Sequence, residues 1–202
     1  MCFFSQISKD AVELQHRFNA KFEEGSSFKP MAYNAFQFPK TPVITDKNRE
    51  LIQMFQWGLI PHWAKNDEIK KHTLNARMET IHEKPSFKYA MHNRCLILSD
   101  GFFEWQWLDP KGKHKQKYTI TLPENQLFAF AGLYNNWVDP VTGEIINTYT
   151  ILTTEANELM SIIHNSKKRM PLILHPEDES LWLSGEKLNQ KEIQLVATPI
   201  SL

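Results

Sequence analysis

Residues 94–108 read RCLILSDGFFEWQWL. The apolar run before Asp100-Gly101 and the aromatic run after it predict two strands joined at that pair. Beyond Gly101, alternation puts Phe103, Trp105 and Trp107 on one face. Phe102, Glu104, Gln106 and Leu108 take the other. Glu104 is thereby flanked by large aromatics in a strand with a strong burial signal. Either its side faces water, or it is a partly buried carboxylate. Burial disfavours the charged form and would suit Glu104 to proton transfer near neutral pH. The alternation alone does not choose between the two.

Outward from this stretch, the pattern stays strand-rich. Residues 41–45 and 51–57 read as strands parted by a polar turn at 46–50. Residues 57–87 have little clean period and two prolines, and read as a long loop with short helical pieces; such loops are commonly functional. The turn at 109–114 leads into a strand at 117–122. Residues 127–138 and 147–154 are strands around a hairpin turn at 139–144, and 170–174 and 193–201 are strands too. A helix is predicted at 8–22, capped by Ser8, with Asp10 in its first turn and Ala11, Leu14, Phe18 and Phe22 as its stripe. A short amphipathic helix covers 156–164, with Leu159, Ile162 and Ile163 as its apolar positions. Another covers 176–183, with Pro176 near its start. Many strands, short turns and few helices predict a single α+β domain over residues 1–202, with a mainly antiparallel, curved sheet.

Composition narrows the function classes. Of the 202 residues, 42% are hydrophobic and 23% charged, an ordinary balance for a soluble globular chain. No stretch approaches the roughly 20 apolar residues of a membrane span, so no membrane partner is expected. The N-terminus lacks the regions of a signal peptide. Two isolated cysteines make neither a disulfide framework nor a zinc site, which points to the cytoplasm, and no metal or cofactor is expected. The 23 basic residues balance the 23 acidic ones, so any nucleic-acid contact rests on a local patch. Six Trp and 13 Phe leave room for stacking platforms beyond the core.

The chain begins MCFF. Cys2 can be a small apolar residue heading a buried strand. If Met1 is removed, however, Cys2 carries an α-amine and a thiol on adjacent carbons. The amine can condense with an aldehyde, and the thiol can then close a five-membered ring on the same carbon. Elsewhere, residues 163–171 (IHNSKKRMP) gather cations in a way that suits an anion site or a solvated loop. His164 stands where the helical stripe ends, a position that also suits a surface histidine. Asn75 and Arg77, with only Ala76 between them, can hold a sugar or phosphate.

Taken in order, MC, WGLIPHW (57–63), NARMET (75–80), RCLILSDGFFEW (94–105), AGLY (131–134), TILTTEAN (150–157) and IHNSKKRMP resemble the SOS-response-associated peptidase family. The resemblance runs from Cys2 to the final ATPIS. It implies a β-barrel-like core and an enzyme with lyase-like Schiff-base chemistry, acting on abasic sites in single-stranded DNA. It also implies covalent linkage through the N-terminal cysteine as a thiazolidine. The family's peptidase label implies loss of Met1, by self-cleavage or by an aminopeptidase. By the same resemblance, Cys2 matches the nucleophile and Asn75 the residue that orients the reacting centre. Glu104 matches the proton-moving glutamate and His164 the active-site histidine. Arg77 and Arg169 match phosphate-contacting arginines, with pairing to Glu79 or Glu155 as their alternative. Trp63 matches an aromatic beside the displaced strand, and Asn34 of YNAFQFP is carried over with it. The chain departs from the family's Met-Cys-Gly-Arg start: Phe3 and Phe4 replace a permissive glycine and a cation. A monomer is expected. The rival readings are an N-terminal-nucleophile amidohydrolase and a non-catalytic module that binds single-stranded nucleic acid.

Overall fold

The computed structural model describes residues 2–189 and 191–201. The chain begins with β1 (Phe4–Ile7), α1 (Ala11–Phe18), β2 (Lys21–Phe22), β3 (Met31–Asn34), β4 (Lys40–Thr45) and β5 (Leu51–Trp57). There follow β6 (Asn75–Arg77), α2 (Pro85–Lys88), β7 (Arg94–Ser99), β8 (Gly101–Trp107) and β9 (Lys115–Thr121). The last part holds β10 (Phe128–Val138), β11 (Ile145–Glu155), α3 (Glu158–Ile163), β12 (Arg169–Pro171), β13 (Ile173–Leu174), α4 (Pro176–Ser184) and β14 (Val196–Ile200).

Five of these strands close on one another. β11 pairs with β10, β10 with β7, β7 with β4, and β4 with β5. β5 then returns to β11 by a short parallel pairing, with Gln56 beside Thr148 and Trp57 beside Tyr149. The ring is a small barrel, and its interior is filled by side chains. Trp57, Phe130, Tyr149 and Ile151 are buried there. Their polar atoms are satisfied: the Trp57 indole donates to the Leu74 carbonyl at 2.8 Å, and the Thr41 and Tyr149 hydroxyls bond at 2.9 Å. Gly132 on β10 is required by close approach, since a Cβ there would stand 2.1 Å from Ile97 Cδ1 and 3.0 Å from Cys95 Sγ. The second sheet is antiparallel, in the order β14-β9-β8-β1-β3. The architecture is α+β and mainly antiparallel, as the strand-rich pattern predicts. The parallel exceptions are β5–β11, β6–β11 and β2–β5.

The two strands of residues 94–108 form as expected, but they part company. β7 belongs to the barrel and β8 to the second sheet. Asp100 makes the crossing, and its carboxylate accepts the backbone N–H of Ser8 at 2.6 Å and the Ser8 hydroxyl at 2.5 Å. Ser8 is therefore not the cap of α1. Asp10 is, in a reciprocal capping box with Glu13. Asn19 takes a left-handed conformation and ends the helix, so Phe22 lies on β2 and not on the helical stripe. In α3, Met160 and Ile163 are buried and Ile162 is exposed, which shifts the expected apolar face. The strand expected at 170–174 is split into β12 and β13, because the Leu172 backbone turns to bond Leu152 and Ala131.

Candidate functional site

Chain termini fray unless something ties them down. Here β1 is inserted between β3 and β8, pairing Phe4 with Asn34 and Ser5 with Phe102. Just before β1, the Phe3 carbonyl accepts the Ala35 N–H at 2.9 Å. The Cys2 carbonyl accepts the Asn75 side-chain amide at 2.9 Å. The Cys2 thiol lies 3.7 Å from the Phe4 carbonyl, a weak S–H contact, and the residue is fully buried. Asn75 comes to this place because β6 runs parallel to β11, with Asn75 beside Ile151. Asn75 Oδ1 is buried and has no hydrogen-bond partner among the described residues. Met1, whose removal the amine chemistry requires, lies outside the described residues.

β8 answers the question its alternation left open. Phe102 and Glu104 are buried, while Phe103, Trp105 and Trp107 lie half-buried on the opposite face. Burial raises the Glu104 carboxyl to about 7. Burial also pushes the Cys2 thiol far above the usual cysteine range, and the nearby Glu104 charge pushes it further. His164 ends α3 and is buried as well, where a surface position was the bland expectation. Its Nδ1 lies 2.9 Å from the Arg169 carbonyl oxygen and 3.1 Å from the Arg169 backbone nitrogen, so one peptide segment clamps the ring. Burial lowers its pKa to about 4, which keeps the imidazole neutral at pH 7. Glu104 and His164 line one cavity of about 180 Å³, walled by Phe3, Phe4, Trp105 and Trp107 and completed by Ser166 and Lys167.

Four sequence candidates thus converge: Cys2 on Asn75 by a hydrogen bond, Cys2 on Glu104 through charge, and Glu104 with His164 in one cavity. Of the eight candidates only Glu104 and His164 line that cavity; Cys2 and Asn75 lie outside its lining, as do the other four. Arg169 takes the alternative weighed for it and pairs with Glu79. Its two terminal nitrogens each stand 2.9 Å from a Glu79 oxygen, and one also donates to the Thr153 carbonyl at 2.8 Å. Arg77 is exposed and makes no ion pair among the described residues. Trp63 is 46% exposed, and its indole donates to the Pro85 carbonyl at 3.4 Å. Asn34 spends its side chain capping the turn at Ala35–Gln37, accepting the Phe36 N–H at 3.0 Å. Sequence reasoning missed Phe3, Phe4, Trp105, Trp107, Ser166 and Lys167 as cavity residues. The cation-rich stretch 163–171 was the signal for the last two, without saying which of its side chains turn inward.

The two arginines differ in what their loss will do. Arg169→Met removes charge-assisted bonds from a buried guanidinium and will lower stability by about 2 kcal/mol. That corresponds to a melting temperature lower by about 4–8 °C for a chain of this size. Arg77→Met will leave it unchanged. Thermal unfolding followed by circular dichroism checks both. Arg169 holds the Glu79 carboxyl below its ordinary 4.5, so the pair's contribution is present above that pH and is lost as pH falls through the lowered folded value.

A larger cleft of about 550 Å³ lies elsewhere, lined by Arg17, Leu122 and His175 among others, and contains none of the candidate residues. Among the described residues no group of three His, Cys, Asp or Glu side chains is placed to hold a metal ion. No helix among them is long and apolar enough to cross a membrane.

The chain resembles known proteins over most of its length. The abasic site processing protein YoqW of Bacillus subtilis (strain 168) is 44% identical over 158 residues, covering 78% of this chain and 68% of that protein. The abasic site processing protein HMCES of Gallus gallus is 34% identical over 179 residues. That match covers 76% of this chain but only 51% of the relative, so the chain spans about half of HMCES. A crystal structure of a Bacteroides thetaiotaomicron protein superposes with a TM-score of 0.86 at 36% identity, covering 99% of this chain and 92% of the other. The model of the family described as SOS response associated peptidase (SRAP) matches residues 1–201. With a family model that matches nearly the whole length, the chain belongs to the SRAP family.

Proposed function

We propose that this protein recognises abasic sites in single-stranded DNA and joins to them covalently through Cys2. Its relatives, the abasic site processing proteins YoqW and HMCES, support the target. The observation that carries the chemistry is Glu104, a buried carboxyl with a pKa of about 7 that shares its surroundings with Cys2. At pH 7 both of its protonation states are populated, so it can take a proton in one step and return it in the next.

The reaction balances as follows. Hydrolysis of the Met1–Cys2 peptide bond consumes one water and frees the Cys2 amine. Glu104 takes the proton from the anomeric hydroxyl of the abasic sugar and returns it to the ring oxygen, so the ring opens to an aldehyde and a free hydroxyl. The amine adds to the aldehyde carbon, and Glu104 carries amine protons to the oxygen that leaves as water, which leaves an imine. The thiol then adds across the C=N bond, sulfur to carbon and proton to nitrogen, closing the thiazolidine. Because burial disfavours the thiolate, the amine acts first and the thiol second. Asn75 fixes the Cys2 carbonyl, which restricts rotation of the nucleophile. Neutral His164 can pass a proton at the cavity wall. Exposed Arg77 is suited to a phosphate contact, whereas Arg169 acts by holding the His164 ring and Glu79.

The cavity supports a sugar without a base. At about 180 Å³ it is smaller than the ~300 Å³ at which ordinary small-molecule sites begin, a size that suits a small group such as a sugar. We read the chain as one domain acting as a monomer in a reducing compartment, a reading supported by its two free cysteines. Intact-mass measurement after mixing with abasic single-stranded oligonucleotide tests the proposal. The expected adduct is the protein without Met1, plus the oligonucleotide, minus one water. Binding without any adduct favours the non-catalytic module. Neither binding nor adduct, with hydrolysis of small amides, favours the amidohydrolase.

A further inference from the structure

The wall of the cavity continues outward as a chain of rings. Phe3 packs on Phe36 with centroids 4.9 Å apart, Phe36 meets Phe4 at 6.3 Å, and Phe4 meets Trp105 edge-on at 5.0 Å. Phe36 is 55% exposed, although the Asn34 cap and the Phe38-to-Ala35 backbone bond fix the turn that carries it. An apolar ring held in water beside a reactive cavity calls for an occupant. Cations lie on the same sheet face, since Trp105 pairs with Lys117 and Trp107 with Lys115 across β8 and β9. Lys117 Nζ stands 4.4 Å from the Phe103 ring centre and 5.5 Å from that of Trp105, and Lys115 Nζ 5.5 Å from that of Trp107. Lys167 sits at the cavity itself. Rings interleaved with lysines complement one polymer in particular, with flat bases on a negative backbone.

We propose that Phe3, Phe36, Phe4 and Trp105 form a stacking wall that takes the base next to the abasic sugar. The inference rests on the abasic-site reading above and adds how the neighbouring nucleotide is gripped. The start of the chain holds DNA by ring contact where a cation would hold it by charge. Such a grip is tolerant of sequence, because every base offers a flat face, and it releases no counterions.

The test uses single-stranded oligonucleotides carrying a tetrahydrofuran analogue of the abasic sugar, which has no aldehyde and cannot crosslink. Binding is measured for the wild-type protein, Phe36→Ala and Phe36→Trp over a range of salt. Phe36→Ala should bind about 5-fold or more weaker. Its salt slope should be unchanged, and Phe36→Trp should restore affinity. The loss should vanish on an oligonucleotide whose neighbouring bases are also replaced by tetrahydrofuran. Equal affinity of Phe36→Ala and wild type overturns the wall and leaves the abasic-site reading standing. A flattened salt slope overturns it in favour of a charge effect. An unaltered affinity with a change from dimer to monomer in sedimentation overturns it in favour of a second copy on the rings. If the wild type binds no single-stranded DNA, the abasic-site reading fails first and the wall with it.

Discussion

Cys2→Ala will abolish the stable DNA adduct while the protein stays folded. The lost sulfur packs in the core and has one weak polar contact, 3.7 Å, among the described residues; its removal leaves a small void costing about 1 kcal/mol. The backbone bonds that tie the terminus down, from Asn75 to the Cys2 carbonyl and from Ala35 to the Phe3 carbonyl, do not involve the thiol. The α-amine survives wherever Met1 is removed, so the imine still forms and borohydride still traps it. Without a thiol the imine cannot close to a ring, and water reverses it. Denaturing gels with and without borohydride read both outcomes. Cys95 is the control: it is buried on β7 against Gly132 in the barrel, and Cys95→Ala should crosslink at the wild-type rate. A stable adduct from Cys2→Ala that disappears in Cys95→Ala would reverse the assignment.

Glu104→Gln will slow crosslinking by roughly 100-fold or more, and it will make the protein more stable at high pH. The wild-type rate should change through an inflection near pH 7, and the variant should lose that inflection. For stability, the folded carboxyl titrates at about 7 against an ordinary 4.5. Below pH 4.5 the group is protonated in both states and its burial is harmless. Between 4.5 and 7 the folded state holds a proton that the unfolded state has lost, so stability falls as pH rises. Above 7 the whole penalty is present, on the order of 3 kcal/mol at about 1.4 kcal/mol per unit. His164 slopes the other way. Its folded value of about 4 lies below the ordinary 6.5, so stability falls as pH drops from 6.5 through 4. The two slopes oppose each other between about 4.5 and 6.5. Urea unfolding at pH 4 and pH 8 should find the variant equal to wild type at the lower pH and more stable at the higher. A variant that crosslinks at the normal rate would make Glu104 a structural residue.

The elements themselves were largely legible, because each strand carries its own pattern. The pairing was not. Residues 94–108 announce two strands, and the turn at 109–114 leads β8 into β9, yet nothing local says that β7 pairs with β4 and β10 while β8 pairs with β1. Those partners lie tens of residues away. Glu104 has the same difficulty in miniature: a period of two says which residues share a face but not which face is inside. The inner face is set by the barrel behind β8. His164 and Arg169 were legible as a cation-rich stretch suited to anions. Glu79 was one of the two partners weighed for Arg169, but nothing local chose it, and nothing announced that the Arg169 peptide folds back to clamp the His164 ring. Ser8 was misread as a cap because Asp100, its actual partner, is 92 residues away.

The insertion of β1 between β3 and β8 also sets a clock. The first strand to leave the ribosome cannot take its place until residues 101–107 have been made. At about 5–20 residues per second, roughly 5–20 s of synthesis separate the two. During that interval β1 has at most β3 as a neighbour, and an aminopeptidase riding on the ribosome can reach Met1. Once β8 arrives, β1 becomes an interior strand of its sheet and Cys2 is buried just before it, which crowds the Cys2 side of the bond to be cut. Slowing translation upstream of residue 101 should therefore increase the share of chains that begin at Cys2.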